Sequence, residues 1–248
     1  MDAVKQIFDG YDVGIRYADD ALGTLCNKLA DLGVLDDTAI LVSTDHGEAF
    51  GELGVYADHQ AADEATCHLP AVLRRPGAAP EVHDGLQYHL DVAATIVELA
   101  GIAVPKQWDG RPIDIGGAGR DHLVLSQGAW SCQRGVRFGD HLYLRTWHDG
   151  YHGHWTDEML FDIASDPHET TDLIATDAAA AKQGASILDA WTSEQLARTR
   201  QEDPMDIVRR EGGPYHVRRH LASYVERLRA TGRAHWADVL VERHHDEL

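Results

Sequence analysis

Apolar residues recur at three- and four-residue steps along the start of the chain: Val4, Ile7, Phe8, Tyr11, Ile15, Ala18, Leu22, Leu25, Leu29 and Leu32. The spacing predicts an amphipathic helix, with room for one interruption, running to about residue 32. Gly33 stands where a left-handed residue would stop it. The pattern then changes to a short apolar run, residues 39–42, bounded by Asp36-Asp37 and Gly47. A run of that length suits a strand buried on both faces. Residues 69–73 predict a second buried strand, turned by Pro76-Gly77, with Arg74 and Arg75 at its end in solvent. Asp91 is placed as an N-cap for a helix whose face is Ala93, Ile96, Val97 and Ala100, stopped by Gly101.

Beyond a glycine-rich link, GRPIDIGGAG at 110–119, the period becomes two. The segments HLVLSQ, RGVRFG, HLYLRTW and MLFDI predict short strands of an antiparallel sheet, closed near Pro167. Residues 175–200 return to a helical period with Ile187, Leu188, Trp191 and Leu196 on one side, broken by Pro204. A further helical pattern follows from Tyr215 (Leu221, Tyr224, Val225, Leu228, then Trp236, Val239 and Leu240), expected to pack on the acidic body of the chain or on a partner. These elements predict an α/β fold: a layered α/β sheet over residues 1–118, then a smaller antiparallel α+β subdomain with a helical tail over 119–248.

Net charge changes the picture of partners. It is −19 and unevenly spread, because the tail is richer in basic residues than the rest of the chain. Residues 204–248 hold 8 arginines against 7 acids, leaving 14 basic and 34 acidic side chains elsewhere. Such a surface repels nucleic acid and other polyanions. No run approaches the length of a membrane span. The start, MDAVKQIFDG, lacks an apolar signal region, and three scattered cysteines, an odd number, suit reduced thiols. Both point to a cytoplasmic protein.

Candidate chemistry gathers at the end of the first strand, in Thr44-Asp45-His46-Gly47. A carboxylate beside an imidazole at a strand's carboxyl end could bind a divalent cation, or the aspartate could simply cap a polar turn. The stretch between the two strands is long, which in a compact domain signals function. It carries His59 and His68 among Glu48, Asp58, Asp63 and Glu64. A third group, HDGYHGHW with His148, His152 and His154, has spacings of four and two. It could seat a metal, overhang a substrate together with Arg145, or be a plain surface loop.

The order of these pieces resembles the sulfatase branch of the alkaline phosphatase superfamily. The helical stretch YDVGIRYADDALGTLCNKLAD, then TAILVSTDHGE, LPAVLRRPG, DVAATIVELAGIAVP and MLFDIASDPHETTDL, covers about residues 11–173 in that family's order. The resemblance implies an alkaline phosphatase-like fold, with Asp45 and His46 as metal ligands, Ca²⁺ first and Mn²⁺ or Zn²⁺ as alternatives. It implies a small-molecule sulfate ester as substrate. Where many sulfatases have a lysine twelve residues after the motif histidine, this chain has Asp58, followed by His59. Protonated, His59 could bind a sulfate oxygen or protonate the leaving oxygen, or it could be a plain surface histidine; it is the candidate catalytic residue, and His68, Arg145 and His152 are candidate substrate contacts. The family's formylglycine nucleophile arises from a C-x-P-x-R or S-x-P-x-R pattern. Neither exists here: Cys26 precedes Asn-Lys-Leu, Cys67 precedes His-Leu-Pro and Cys132 precedes Gln-Arg-Gly. The expectation is a carboxyl-terminal portion of a sulfatase-like enzyme, inactive alone and partnered by a complementary half or a second copy. A phosphoester or phosphonate ester hydrolase of the same superfamily, and a non-catalytic interaction module, are the alternatives. An unpartnered apolar flank on the first strand is expected as well.

Overall fold

The computed structural model describes residues 2–113 and 117–247, with the side chains of residues 2 and 3 left aside. In chain order the elements are α1 (Asp2–Asp31), β1 (Ile40–Ser43), β2 (Ala49–Phe50), β3 (Tyr56–Asp58), α2 (Glu64–Cys67), β4 (Ala71–Arg74) and α3 (Leu90–Leu99). There follow β5 (His122–Gln127), β6 (Cys132–Phe138), β7 (His141–His148), β8 (Glu158–Asp162), α4 (Ala178–Thr199), α5 (Pro204–Arg210), α6 (Leu221–Ala230) and α7 (Ala234–Arg243). Short 3₁₀ turns lie at Leu35–Asp37, Glu52–Gly54 and His245–Glu247. Among the described residues no helix is long and apolar enough to cross a membrane. The residues fall into two units: 1–45 with 69–119, and 46–68 with 120–248. The loop between the first two predicted strands thus belongs to the second unit. The middle of the glycine-rich link, residues 114–116, lies outside the described residues.

In the first unit α1 is one uninterrupted helix of 30 residues. It ends in a Schellman turn: Gly33, at φ +70°, donates to Ala30 at 2.9 Å and Val34 donates to Leu29 at 3.0 Å. Strand β1 pairs with β4 antiparallel, Ile40 opposite Arg74 and Ser43 opposite Ala71. Neither strand is buried on both faces, contrary to the sequence reading. Val42 is 36% exposed and Val72 63%. A two-stranded ribbon has only one layer to cover it, and the apolar positions of α1 are likewise open, Ile7 at 45% and Ile15 at 57%. The expected apolar flank is therefore present. Arg74 is only partly in solvent, its side chain 37% exposed: its guanidinium donates to Leu35 O at 2.7 Å and Thr38 O at 2.8 Å and pairs with Asp36, tying the turn to the strand. Asp91 sits inside the first turn of α3, not at its cap, and is fully buried. Its carboxylate accepts from the backbone N–H of Tyr88 and of Arg111, closing the segment after α3 back onto the helix.

The second unit is built on the four-stranded antiparallel sheet β5-β6-β7-β8. Alternation along β7 separates two cores. Leu142 and Leu144 face one side with Phe161, Met159 and Trp155, and there they meet Ala49, Val55, Ala61 and Ala62 of the 46–68 segment. Tyr143 faces the other side with Val136, Phe138 and Leu160, under Ala180 and Leu188 of α4. A Cβ on Gly184 would lie 2.5 Å from Cβ of Tyr143, so this helix approaches the sheet where only glycine fits. The tail packs on its own unit: Leu221, Val225, Ala237 and Leu240 of α6 and α7 enclose Tyr151.

Candidate functional site

His46 opens the second unit, and the backbone around it leaves little room. Gly47 donates to Thr66 O at 2.8 Å, and a Cβ on Gly47 would lie 2.1 Å from the carbonyl oxygen of Ala65. Glycine is thus required by close approach of two backbones, not by its φ. Gly47→Ala is expected to cost about 1–3 kcal/mol in urea unfolding, because the turn must move to admit a methyl group.

The ring of His46 makes one diagnostic contact. Its Nδ1 lies 2.9 Å from Gly47 O, and a carbonyl only accepts. Nδ1 therefore carries a proton, which leaves Nε2 as the nitrogen that could ligate a metal, the orientation of a histidine held by a backbone carbonyl. His59 stacks on His46, with ring centroids 3.8 Å apart and planes at 25°. Glu48 lies with both: its Oε1 is 3.8 Å from Nδ1 of His46 and 3.5 Å from Nδ1 of His59. His46, Glu48 and His59 form a group able to hold a cation. The two histidines were legible as candidates. Glu48 entered the sequence reading only as one acid of the loop; its offset of two from His46 on an extended segment was the available signal.

The other sequence-predicted residues lie elsewhere. His68 follows α2, with its side chain 79% exposed, and pairs with Glu64 at 3.0 Å, which raises its pKa. Arg145 is engaged by Asp189 at 2.6 Å, Glu158 at 3.3 Å and the Tyr143 hydroxyl at 3.1 Å, across the β7–β8 pair to α4. His152 is stacked on Trp155 at 4.3 Å and bonded to Gln60 at 2.7 Å. His154 bonds to Leu53 O. Asp45 is the last residue of the first unit, with Oδ1 3.3 Å from the Thr44 hydroxyl.

His148, His152 and His154 do not converge on one point. His148 instead joins His244 and Glu247, whose ligand-type atoms lie within 4.8 Å of one another. The protons show what holds this group together. Gly150 N–H donates to Nδ1 of His148 at 3.0 Å, so its proton is on Nε2, which donates to Glu247 at 3.1 Å. His244 faces Glu247 through Nδ1 and Asp149 through Nε2, both at 2.9 Å, so it donates twice. Neither ring presents a lone pair to the group; it is a proton-bonded network.

Two of the three thiols are held in their protonated form. Burial, reinforced by Asp63 and Glu64, pushes Cys67 up to about 12. Burial pushes Cys132 up to about 11. Both stay protonated at neutral pH.

The sulfatase family model matches residues 2–102. The chain is 31% identical over 179 residues to a choline-sulfatase of Rhizobium meliloti, covering 68% of this chain and 33% of that protein. It is 27% identical over 197 residues to an arylsulfatase of Chlamydomonas reinhardtii, covering 76% of this chain and 29% of that one. Among solved structures, that of BT4656 in complex with its substrate D-glucosamine-2-N,6-O-disulfate superposes with a TM-score of 0.64 at 22% identity, over 77% of this chain and 40% of that one. The chain belongs to the sulfatase family, with an alkaline phosphatase-like fold covering part of those structures. It spans about a third of the length of the curated relatives it matches.

Proposed function

We propose that this chain carries part of the active site of a metal-dependent sulfuric ester hydrolase, with Asp45 and His46 as cation ligands and His59 as the acid that protonates the leaving oxygen. The observation that carries the reading is the His46 orientation, with Nδ1 bonded to Gly47 O and His59 stacked on the same ring. The residues fit a divalent cation: a carboxylate and an imidazole oriented to present Nε2. Ca²⁺ is our first choice, in keeping with the resemblance to sulfatases and the taste of that ion for oxygen ligands; Mn²⁺ or Zn²⁺ would suit the imidazole better. When bound, such a cation polarises the ester oxygens. His46 is oriented by the backbone, and His59 delivers its proton from the stacked position.

The substrate class is a small-molecule sulfate ester; a phosphoester is the alternative within the same superfamily. The acidic surface argues against nucleic acid. No formylglycine pattern occurs in this sequence. The partner proposed is a complementary half of the catalytic domain, or a second copy, covering α1 and the Val42–Val72 flank. A cytoplasmic setting suits the three free cysteines. His68, Arg145 and His152 were candidate substrate contacts. The ion pairs of Arg145 and the stacking of half-buried His152 on Trp155 favour structural roles for these two, which leaves exposed His68 as the candidate.

The test is Mn²⁺ titration of the ¹⁵N-labelled chain. Weak binding is expected, broadening the His46 ring signals and lost in Asp45→Ala. Absence of broadening at His46 would overturn the ligand assignment. The purified chain should show no turnover of a chromogenic aryl sulfate or aryl phosphate with Ca²⁺ or Mn²⁺. Turnover well above a His46→Ala control would reveal a nucleophile within this sequence.

A further inference from the structure

Two buried carboxylates of the second unit meet on the first turn of α2. Asp63, at 0% exposure, caps that helix: its Oδ1 accepts from Thr66 N–H at 3.0 Å. Glu169, at 4% exposure, reaches the same turn from the segment after β8, where its Oε1 accepts from Glu64 N–H at 2.8 Å. The second oxygens, Asp63 Oδ2 and Glu169 Oε2, are both shielded from solvent and have no hydrogen-bond partner. The Thr66 hydroxyl beside Asp63 is shielded as well. It has one hydrogen to donate and two orphan oxygens to serve.

The charges around the pair are already matched to other groups. Glu64 is met by Arg137 of β6 at 3.1 Å and by His68 at 3.0 Å. Glu52 is met by His168 at 2.9 Å. The Asp166 carboxylate accepts from the N–H groups of Thr170 and Thr171, each at 2.8 Å. Cys67 of α2 is a neutral thiol. Among the described residues no arginine, lysine or histidine forms an ion pair with Asp63 or Glu169. Two ionised carboxylates there would each be desolvated and would repel one another. Burial and the neighbouring Asp63 push Glu169 up to about 8, and burial raises Asp63 too.

The turn that carries Glu169 is shaped to deliver it. Its backbone lies in the left-handed region, at φ +52°, which disfavours any residue with a Cβ. The N–H of Glu169 donates to Asp166 O at 3.1 Å, and the two threonine amides on Asp166 close the turn behind it. On the other side α2 holds the backbone next to His46, because Thr66 O accepts from Gly47 N–H at 2.8 Å.

We propose that Asp63 and Glu169 share a single proton, and that this acid pair is a pH-sensitive latch fastening the 46–68 segment to the turn after β8. The proton sits on Glu169 Oε2 and faces Asp63 Oδ2, while Oε1 and Oδ1 keep their amide bonds. Loss of the proton leaves two anions on one helical turn, and the latch opens. The latch does not depend on whether the chain hydrolyses an ester. The closed pair binds its proton more tightly than an open segment, whose glutamate ionises near 4.5. The hold is therefore complete in acid and weakens as pH rises from about 4.5 to about 8. Opening should become about tenfold easier per pH unit within that window and level off above it.

The experiment is ¹³C NMR of the side-chain carboxyl groups in the metal-free full chain, followed against pH. One glutamate is expected to keep its acid form at neutral pH and to titrate near pH 8, and its signal should be missing from Glu169→Gln. Asp63→Asn removes the facing charge and should lower the Glu169 midpoint by about one pH unit or more. Both substitutions keep the oxygen that accepts from α2. Hydrogen exchange at the Glu64 and Thr66 amides, corrected for the intrinsic rate, should show the slope with pH in the unmodified protein. Glu169→Gln, whose amide N–H stands in for the proton, should reduce it. Glutamates that are all ionised at neutral pH, or a Glu169 midpoint unmoved by Asp63→Asn, would overturn the proposal. So would a Ca²⁺ titration that ionises Glu169 at neutral pH, since the pair would then be a cation site. The titration of the unmodified protein decides the matter even where a variant fails to fold.

Discussion

Asp203→Ala is expected to destabilise the second unit by about 3–5 kcal/mol, the largest effect of any single substitution considered for this chain. Arg134 on β6 and Asp203 before α5 form a bidentate pair at 2.7 and 2.6 Å. Their side chains are 6% and 11% exposed. The guanidinium is flanked by the rings of Trp147 at 5.7 Å and Trp191 at 5.2 Å. Asp203 also caps α5 by accepting from Met205 N–H at 2.9 Å. Burial opposes its ionisation, yet the bond to Arg134 outweighs that and lowers its pKa. Removing the carboxylate strands a charge in the core and uncaps a helix at once. Urea unfolding of the single variant measures the cost. The double variant Arg134→Met with Asp203→Leu should recover most of it, because no unpaired charge remains. A single-variant loss below about 1 kcal/mol would show that water reaches the guanidinium.

The second large effect is a loss of stability with rising pH, set by His244. Burial disfavours its charge, but Asp149 and Glu247 on its two ring nitrogens outweigh burial and raise it to about 9. Asp149 is likewise opposed by burial, yet held down to about 2 by His244 and Arg243. Tyr151 donates to both acids, through its N–H to Asp149 and its hydroxyl to Glu247, and His148 donates to Glu247. The folded state binds the His244 proton more tightly than the unfolded chain does. Its stabilisation is therefore complete below about pH 6.5 and is lost as pH rises from there to about 9. On the order of 2–3 kcal/mol should disappear across that window in urea unfolding. His244→Phe should lower stability at pH 6 and flatten the dependence between pH 6.5 and 9. A wild-type curve that is flat over the same range would mean that the imidazolium is not retained.

Much of the local structure could be read in advance, and the reason is periodicity. The three- and four-residue spacing from Val4 to Leu32 marks α1, and Gly33 marks its end, because one helix face and one left-handed glycine are local properties. Alternation likewise marks β5 to β8, since one residue in two must face each core. The burial of β1 could not be read in this way. Its apolar run is that of a covered strand, but coverage depends on what lies above and below it, and among the described residues it pairs with one strand, β4. The hairpin β2–β3 and the four-residue α2 were hidden for a related reason. They are too short to carry a period, and they exist because Ala49, Val55, Ala61 and Ala62 bury themselves on the sheet.

The candidate site divides along the same line. Residue types and their order, Asp45-His46-Gly47 with His59 thirteen positions after His46, were present in the sequence alone and were enough to indicate the family. What the sequence alone determined is therefore the longer helices and strands, the chemical repertoire and the ligand candidates, all of which depend on near neighbours along the chain. The tertiary structure decided the partners of each polar group. It sends Arg145 into ion pairs and His152 to Gln60, sets His59 flat on His46, and gathers Asp149, His244 and Glu247 into one proton-bonded cluster. Those contacts join residues up to 95 positions apart, and no pattern along the chain encodes which of several histidines a given carboxylate will meet.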